Sequence, residues 1–370
     1  MVDPAAEAGF SELVERVERE AEEGFFHTGA QLFVGVGDRV LLDVAVGRTH
    51  RREPFRTDTL SALYCTAKPL VTVAVLALVA DGELSLDDRL EHVVPGLQTP
   101  WLAERTVEQV LGHTAGLHQM DTVLARILPE SLRDVVLQSL PPPQGWRFGV
   151  DRSYAEFGGW FLLGKVIEEV AERPYGEFVT DRVLAPYGVQ PHELVVRFDA
   201  ESFAELAGRI SVTWDLTMEQ PVPLLAEAGP ETACEWNPAF GSYGTMRALG
   251  TFYRGLLRDL RGEAVVLPED LLAEATRARL PLTPDQTLGR DAGFGLGFMT
   301  PLSSHEFGGS PSDAAFGHAG QGGTSFGMAD PERDLTLAVL FNAGLDYDTA
   351  LSFRRVTLVD TVYRALDDLA

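Results

Sequence analysis

The chain has 370 residues, 45% of them apolar, and its 55 acidic against 30 basic side chains leave a formal charge of −25. Such proportions describe a globular protein with an ample core and exclude the basic face that nucleic acid or an anionic membrane requires of a partner. Two cysteines cannot build a disulfide framework, and the eight histidines form neither an i, i+4 pair nor a Cys/His cluster, so reduced thiols and no metal or other cofactor are expected.

The elements follow from periodicity. Phe10, Leu13, Val14 and Val17 recur at helical spacing, which predicts an amphipathic helix from about Ala5 to Glu23 with an acidic outer face. Because Met1-Val2-Asp3-Pro4 leads into that acidic helix and no apolar run is long enough to span a bilayer, a cytoplasmic, membrane-free protein is expected. Leu32 to Val36 and Val40 to Val46 are β-rich runs around Gly37-Asp38-Arg39 and read as a hairpin. A helix that starts at about Thr66 should end near Asp81-Gly82, and from about Thr106 to Leu280 helical periodicity dominates, broken by loops such as Pro141-Pro142-Pro143-Gln144-Gly145. Short β runs return at Phe294 to Met299, Thr324 to Met328 and Leu335 to Phe341, before a closing helix from about Thr349 to Leu369. Strands at both ends of a helical middle imply an α/β fold: residues 1–105 and 290–370 form the sheet and its flanking helices, and 106–289 an inserted, mostly helical domain. The cleft between them is the natural site.

The chemistry concentrates in Cys65-Thr66-Ala67-Lys68-Pro69. A thiol and an amine three residues apart share one helix face, close enough for one to govern the other's proton. Proline is tolerated in a first helical turn, so Pro69 places Cys65 at the mouth of a helix, with a positive dipole end and a lysine beside it. Lys68 and Lys165 are the only lysines among the 30 basic residues. The chain otherwise uses arginine for positive charge, and lysine is the cation that can give up its proton when desolvated.

Three more segments belong with it. Tyr154-Ala155-Glu156 follows Trp146 to Ser153 and runs into a helix; Phe316-Gly317-His318-Ala319-Gly320-Gln321-Gly322-Gly323 precedes the last strands; and Val107 to Gly116 contains His113. Together they resemble the serine β-lactamase and penicillin-binding-protein superfamily, in the branch of class C β-lactamases, family VIII carboxylesterases and related transacylases, over about Gln31 to Asn342. Cys65-Thr66-Ala67-Lys68 looks like that family's S-x-x-K with cysteine for serine, Tyr154-Ala155-Glu156 like its Tyr-x-Asn, and His318-Ala319-Gly320 like its third motif.

The resemblance implies a β-lactamase-like fold, an antiparallel sheet built from both termini with helices around it. It makes Cys65 the acyl-accepting nucleophile, Lys68 the amine that lowers its pKa or takes its proton, and Tyr154 the base in acylation and acid toward the leaving group. The oxyanion hole would use the backbone N–H of Cys65 and of Gln321, on a glycine-rich strand against which the substrate lies, with His318, Gly320 and Glu156 beside it. Two departures carry information. His318 in place of the third-motif lysine and Glu156 in place of the asparagine remove contacts used for penicillins, so efficient β-lactam hydrolysis is not expected. A cysteine nucleophile makes the acyl-enzyme a thioester, which favours amines over water. The expected activity is transfer of an acyl group from a small-molecule ester or amide, through Cys65, to an amine or alcohol. A hydrolase of the same fold, with water as acceptor, and an inactive ligand-binding relative are the alternatives, and the intact Lys68 and Tyr154 argue against the last.

Overall fold

The computed structural model describes residues 8–24, 26–97, 99–118, 141–224, 229–346 and 349–369, and from 349 to 352 the backbone alone. The first helix, α1 (Ser11–Glu23), buries Leu13 and Val17 and ends on Gly24, whose left-handed φ of 69° lets its N–H reach the Glu20 carbonyl. The first residues of the expected helix, 5–7, lie outside the described residues, as do 119–140 of the helical middle.

The hairpin forms as the alternation requires, with β1 (Gly29–Val36) paired antiparallel to β2 (Arg39–Gly47). Next come α2 (Lys68–Ala80), α3 (Gly158–Ala171) and α4 (Met246–Leu260), then β3 (Phe316–Ala319), β4 (Ser325–Asp330), β5 (Leu335–Phe341) and α5 (Thr357–Leu369). The five strands form one antiparallel sheet in the order β3-β4-β5-β1-β2. Thus β1, from one end of the chain, pairs with β5, from the other, with Leu32 opposite Val339 and Val34 opposite Leu337. All of β4 and β5 and nearly all of β1 are buried, because α1 and α5 cover one face and α4 the other. Among the described residues no helix is long and apolar enough to cross a membrane.

Two expectations are corrected. Phe294 to Met299 is a returning loop, not a strand. Gly297 takes φ 69° and donates to the Leu111 carbonyl, Gly295 donates to the Phe298 carbonyl, and only Phe294 and Met299 bridge each other. The missing strand is β3 itself, which Met299 extends by a single bridge to Gly317. The closing helix divides as well: Thr349–Val356 is a wider π-type helix, and regular α geometry begins at Thr357. The helix α4 packs on β1, β4 and β5. One core runs from Phe33 on the sheet through Leu70 to Leu78 of α2 into Trp160 to Ile167 of α3. Apolar positions on every side of α2 and α3 bind the two regions together, and a periodicity reading cannot see which neighbour each face meets.

Candidate active site

Cys65 lies on a short 3-10 turn, Tyr64–Ala67, that feeds directly into α2. The regular helix therefore starts at Lys68, two residues later than expected, with Pro69 in its first turn as the missing N–H requires. Tyr64, just before Cys65, is held at φ 50°, a left-handed conformation that costs a non-glycine residue on the order of 1 kcal/mol. Its surroundings enforce that conformation: the Leu63 N–H donates to the Ser242 carbonyl, and the buried Tyr64 hydroxyl donates to the Leu224 carbonyl.

The sheet grips the same turn. The Ser325 hydroxyl, at the start of β4, donates to the Leu63 carbonyl at 2.9 Å and stands 2.9 Å from the Thr66 hydroxyl. Gly320 closes this contact, since a Cβ there would sit 2.5 Å from Ser325 Oγ and 3.2 Å from the Leu63 carbonyl oxygen. Ser325→Ala should therefore cost about 1 kcal/mol of stability through the lost hydrogen bond. It should also slow acylation by about tenfold, because it loosens the seat of the thiol. Thermal unfolding read beside single-turnover acylation checks both; a stability loss with no change in rate would remove Ser325 from the positioning of Cys65.

Lys68 is 0% exposed. Its Nζ donates to Cys65 Sγ at 3.2 Å and to the Ala239 carbonyl at 2.9 Å, and it lies 5.5 Å from the ring centre of Trp160 and 5.8 Å from that of Tyr154. Asn237 Oδ1 accepts from the Phe240 N–H, fixing the peptide whose carbonyl holds the lysine. Two aromatic faces and one carbonyl surround this desolvated amine in place of water.

Tyr154 is clamped from two sides. The Ser153 N–H donates to the His113 carbonyl, the Ala155 N–H donates to His113 Nδ1 at 3.2 Å, and the Gln286 N–H holds the Arg152 carbonyl. The phenol ring lies parallel to Phe294, 5.7 Å between centres, and meets His113 edge-on. Burial first, then negative charge on Cys65 and on Glu156, hold the Tyr154 pKa well above its ordinary value. The hydroxyl faces Cys65 closely enough for that sulfur to contribute, yet it has no formed hydrogen bond among the described residues. Such a phenol rests neutral and donates; phenolate as a standing base is disfavoured.

One cavity of about 230 Å³ brings together Cys65, Tyr154, Glu156, Gly320 and Gln321. Gln321 follows the end of β3 in a turn, not a strand: Gln321–Gly323 is 3-10, Gly322 and Gly323 have φ 59° and 65°, and the Thr324 N–H and hydroxyl both donate to the Gln321 carbonyl. A substrate beside this segment meets a fixed turn, which corrects the extended strand expected from its glycines. Gly317 is a contact between strands, facing the Gly327 carbonyl.

His318 is fully buried, does not line the cavity, and stands behind Tyr154 with ring centres 6.0 Å apart. Burial and the charge of Lys68 push its pKa well below the usual histidine range, so it is a neutral neighbour of the site. It occupies the third-motif position without reaching the place a substrate group would take.

Sequence reasoning missed the far wall. Arg290 forms an ion pair with Glu306 at 2.6 Å, and Arg355, from the π-type segment, donates to the His305 carbonyl at 2.9 Å. The aromatic and apolar wall is Tyr64, Phe157, Phe240, Leu288 and Met299. Nothing in the local sequence around Arg290, Glu306 or Arg355 separates them from ordinary surface charges, since their roles arise from long-range packing. Among the described residues no cluster of three His, Cys, Asp or Glu side chains is arranged to hold a metal ion, and both cysteines are free.

The comparisons with known proteins agree with this geometry. Esterase EstB of Burkholderia gladioli is 26% identical over 90% of each chain. Among solved structures, a penicillin-binding-protein homologue from Caulobacter crescentus superposes with a TM-score of 0.78 at 23% identity, covering 99% of both chains. A family VIII carboxylesterase gives 0.79 at 21% identity, covering 99% of this chain and 98% of its own. The sequence signature described as Beta-lactamase matches residues 14–357, and the chain belongs to the β-lactamase family, with penicillin-binding-protein-like and carboxylesterase-like neighbours.

Proposed function

We propose that the chain is an acyl-transfer enzyme that takes an acyl group from an ester or amide onto Cys65 and passes it to an amine or alcohol. The observation that carries this reading is the 3.2 Å contact between Lys68 Nζ and Cys65 Sγ, made by a lysine with no exposure to a thiol on the wall of an open cavity. An inert binding scaffold has no use for a desolvated amine aimed at a thiol.

In the proposed cycle the Cys65 thiol attacks the acyl carbon and gives its proton to Lys68, or through Tyr154 to the departing group. The backbone N–H groups of Cys65 and Gln321 are assigned to the tetrahedral oxyanion. In the second half the leaving atom is Sγ itself. Tyr154, facing it, hands its phenolic proton to the sulfur as it takes the proton of the acceptor, so the phenol is neutral before and after. Glu156 lines the same cavity and is the group assigned to an amine acceptor.

Tyr154→Phe should then lower the transfer step by about 10²-fold or more, the usual scale of general acid–base catalysis. Stability should hardly change, because the hydroxyl has no formed hydrogen bond to lose. Single-turnover discharge of the acyl-enzyme, read beside thermal unfolding, checks this; unchanged discharge would leave Lys68 as the only proton carrier.

The second reading, hydrolysis, is favoured by the esterase relative. Product analysis with an activated ester and a graded amine or alcohol decides between them. Transfer predicts that amide or ester product displaces free acid at millimolar acceptor, and hydrolysis predicts free acid at every concentration.

A further inference from the structure

We propose that the cavity bounded by His27 and Trp214, which shares no lining residue with the Cys65 cavity, is a second ligand site that takes a neutral phenol, its hydroxyl donating to His27 Nδ1. The cavity holds about 310 Å³ and lies where the end of β5 meets the short strand Trp214–Asp215. There the Trp214 N–H donates to the Asn342 carbonyl, and Trp214–Asp215 pairs in parallel with Ala343–Gly344. Trp214, Leu216, Pro221 and Ala343 give the cavity an apolar wall. Two of the polar side chains opposite are committed to the protein. Asn342 Oδ1 accepts from the Thr28 and Gly29 N–H groups, its Nδ2 donates to the Thr28 hydroxyl and the Arg48 carbonyl, and the Thr28 hydroxyl donates to that same carbonyl. His27 is the exception.

The His27 ring is 0% exposed, and its Nε2 stands 3.3 Å from the Val17 carbonyl, which can only accept, so Nε2 carries the proton and Nδ1 keeps a lone pair. No hydrogen bond to Nδ1 is formed among the described residues. Burial first, then the charge of Arg354, lower the His27 pKa to about 3, and the ring is a neutral acceptor at any ordinary pH. An unpaired buried acceptor is costly, and a ligand that brings a donor removes that cost. The same surroundings select the donor. An ammonium would meet the buried Arg354 guanidinium, whose charge already acts on the imidazole, and a carboxylate would set its lone pairs against another lone pair. A neutral hydroxyl meets both conditions. The apolar wall asks that it be carried on an apolar body, and the flat faces of Trp214 and Pro221 suit an aromatic ring. Ala343 borders this cavity, while the next residue, Gly344, packs against Gly322 of the Cys65 cavity, so the two sites are neighbours that do not overlap.

The test titrates the whole chain by calorimetry with 4-ethylphenol and with ethylbenzene, which has the same body and no donor. The proposal expects one 4-ethylphenol per chain, bound about tenfold or more tighter than ethylbenzene, the scale of one hydrogen bond to a buried group otherwise left unpaired. His27→Phe keeps a ring against Phe341 and loses the acceptor, so in that variant the ratio should fall to about one. Leu216→Trp fills the cavity from a half-buried position and should lose both ligands. Thermal unfolding establishes that each variant is folded before its titration is read. A measurement that needs no variant is the anomalous signal of bromine from 4-bromophenol soaked into crystals of the parent, expected beside Trp214. No binding at millimolar 4-ethylphenol, equal affinity for 4-ethylphenol and ethylbenzene, or bromine found in the Cys65 cavity alone would each overturn the site.

Discussion

Cys65→Ala should fold normally and lose about 10³-fold or more of its turnover, because a methyl group offers no covalent route for the acyl group. The side chain is only half-buried and its sulfur accepts from Lys68 Nζ at 3.2 Å, so deleting it opens little cavity. Thermal unfolding should shift by no more than about 1 kcal/mol would produce. Cys65→Ser should keep part of the activity, since the turn that seats the side chain is anchored through Leu63, Thr66 and Ser325, not through the sulfur. Turnover that survives in the alanine variant together with acyl labelling would mean that some other group carries the acyl chain.

Lys68→Arg should be almost as damaging as Lys68→Ala, each lowering acylation by about 10²- to 10⁴-fold. Guanidinium keeps the charge but does not give up its proton near neutrality, and its planar fork is too large for a site bounded by Trp160, Tyr154 and the Ala239 carbonyl. Acylation rates across pH separate the explanations. If Lys68 cycles a proton, neither variant recovers at high pH; if it only supplies charge, the arginine variant follows the parent. Full activity in Lys68→Arg would reduce the lysine to an electrostatic support.

What the sequence disclosed, and what it did not, divides along a physical line. The β1 and β2 hairpin, the Pro69 helix start and the pairing of both termini in one sheet are governed by local pattern and by proline chemistry, and they were legible. That Cys65 and Lys68 meet was legible from their three-residue spacing, and the structure places Tyr154 on the wall of the same cavity as Cys65. The loop at 294–299 was not, because an alternation of aromatics with glycines reads as a strand until Gly297 turns it back. The outward or inward direction of a strand side chain is equally hidden, so His318 could be placed in a motif but not on the buried side of β3. Arg290, Glu306 and Arg355 reach the cavity only through contacts among distant segments, and the acceptor that holds Lys68 at Ala239 is a carbonyl, which no side-chain pattern can announce.

The central claim is the covalent intermediate on Cys65. The most direct measurement incubates the protein with a p-nitrophenyl acyl ester under single-turnover conditions, quenches in acid, and maps the added mass by peptide digestion. The account predicts one acyl group per chain on the peptide that contains Cys65, present in the parent, absent in Cys65→Ala, and discharged when an amine is added. Turnover of the ester with no adduct at any quench time, or an adduct on Cys234 that tracks the activity, would contradict it.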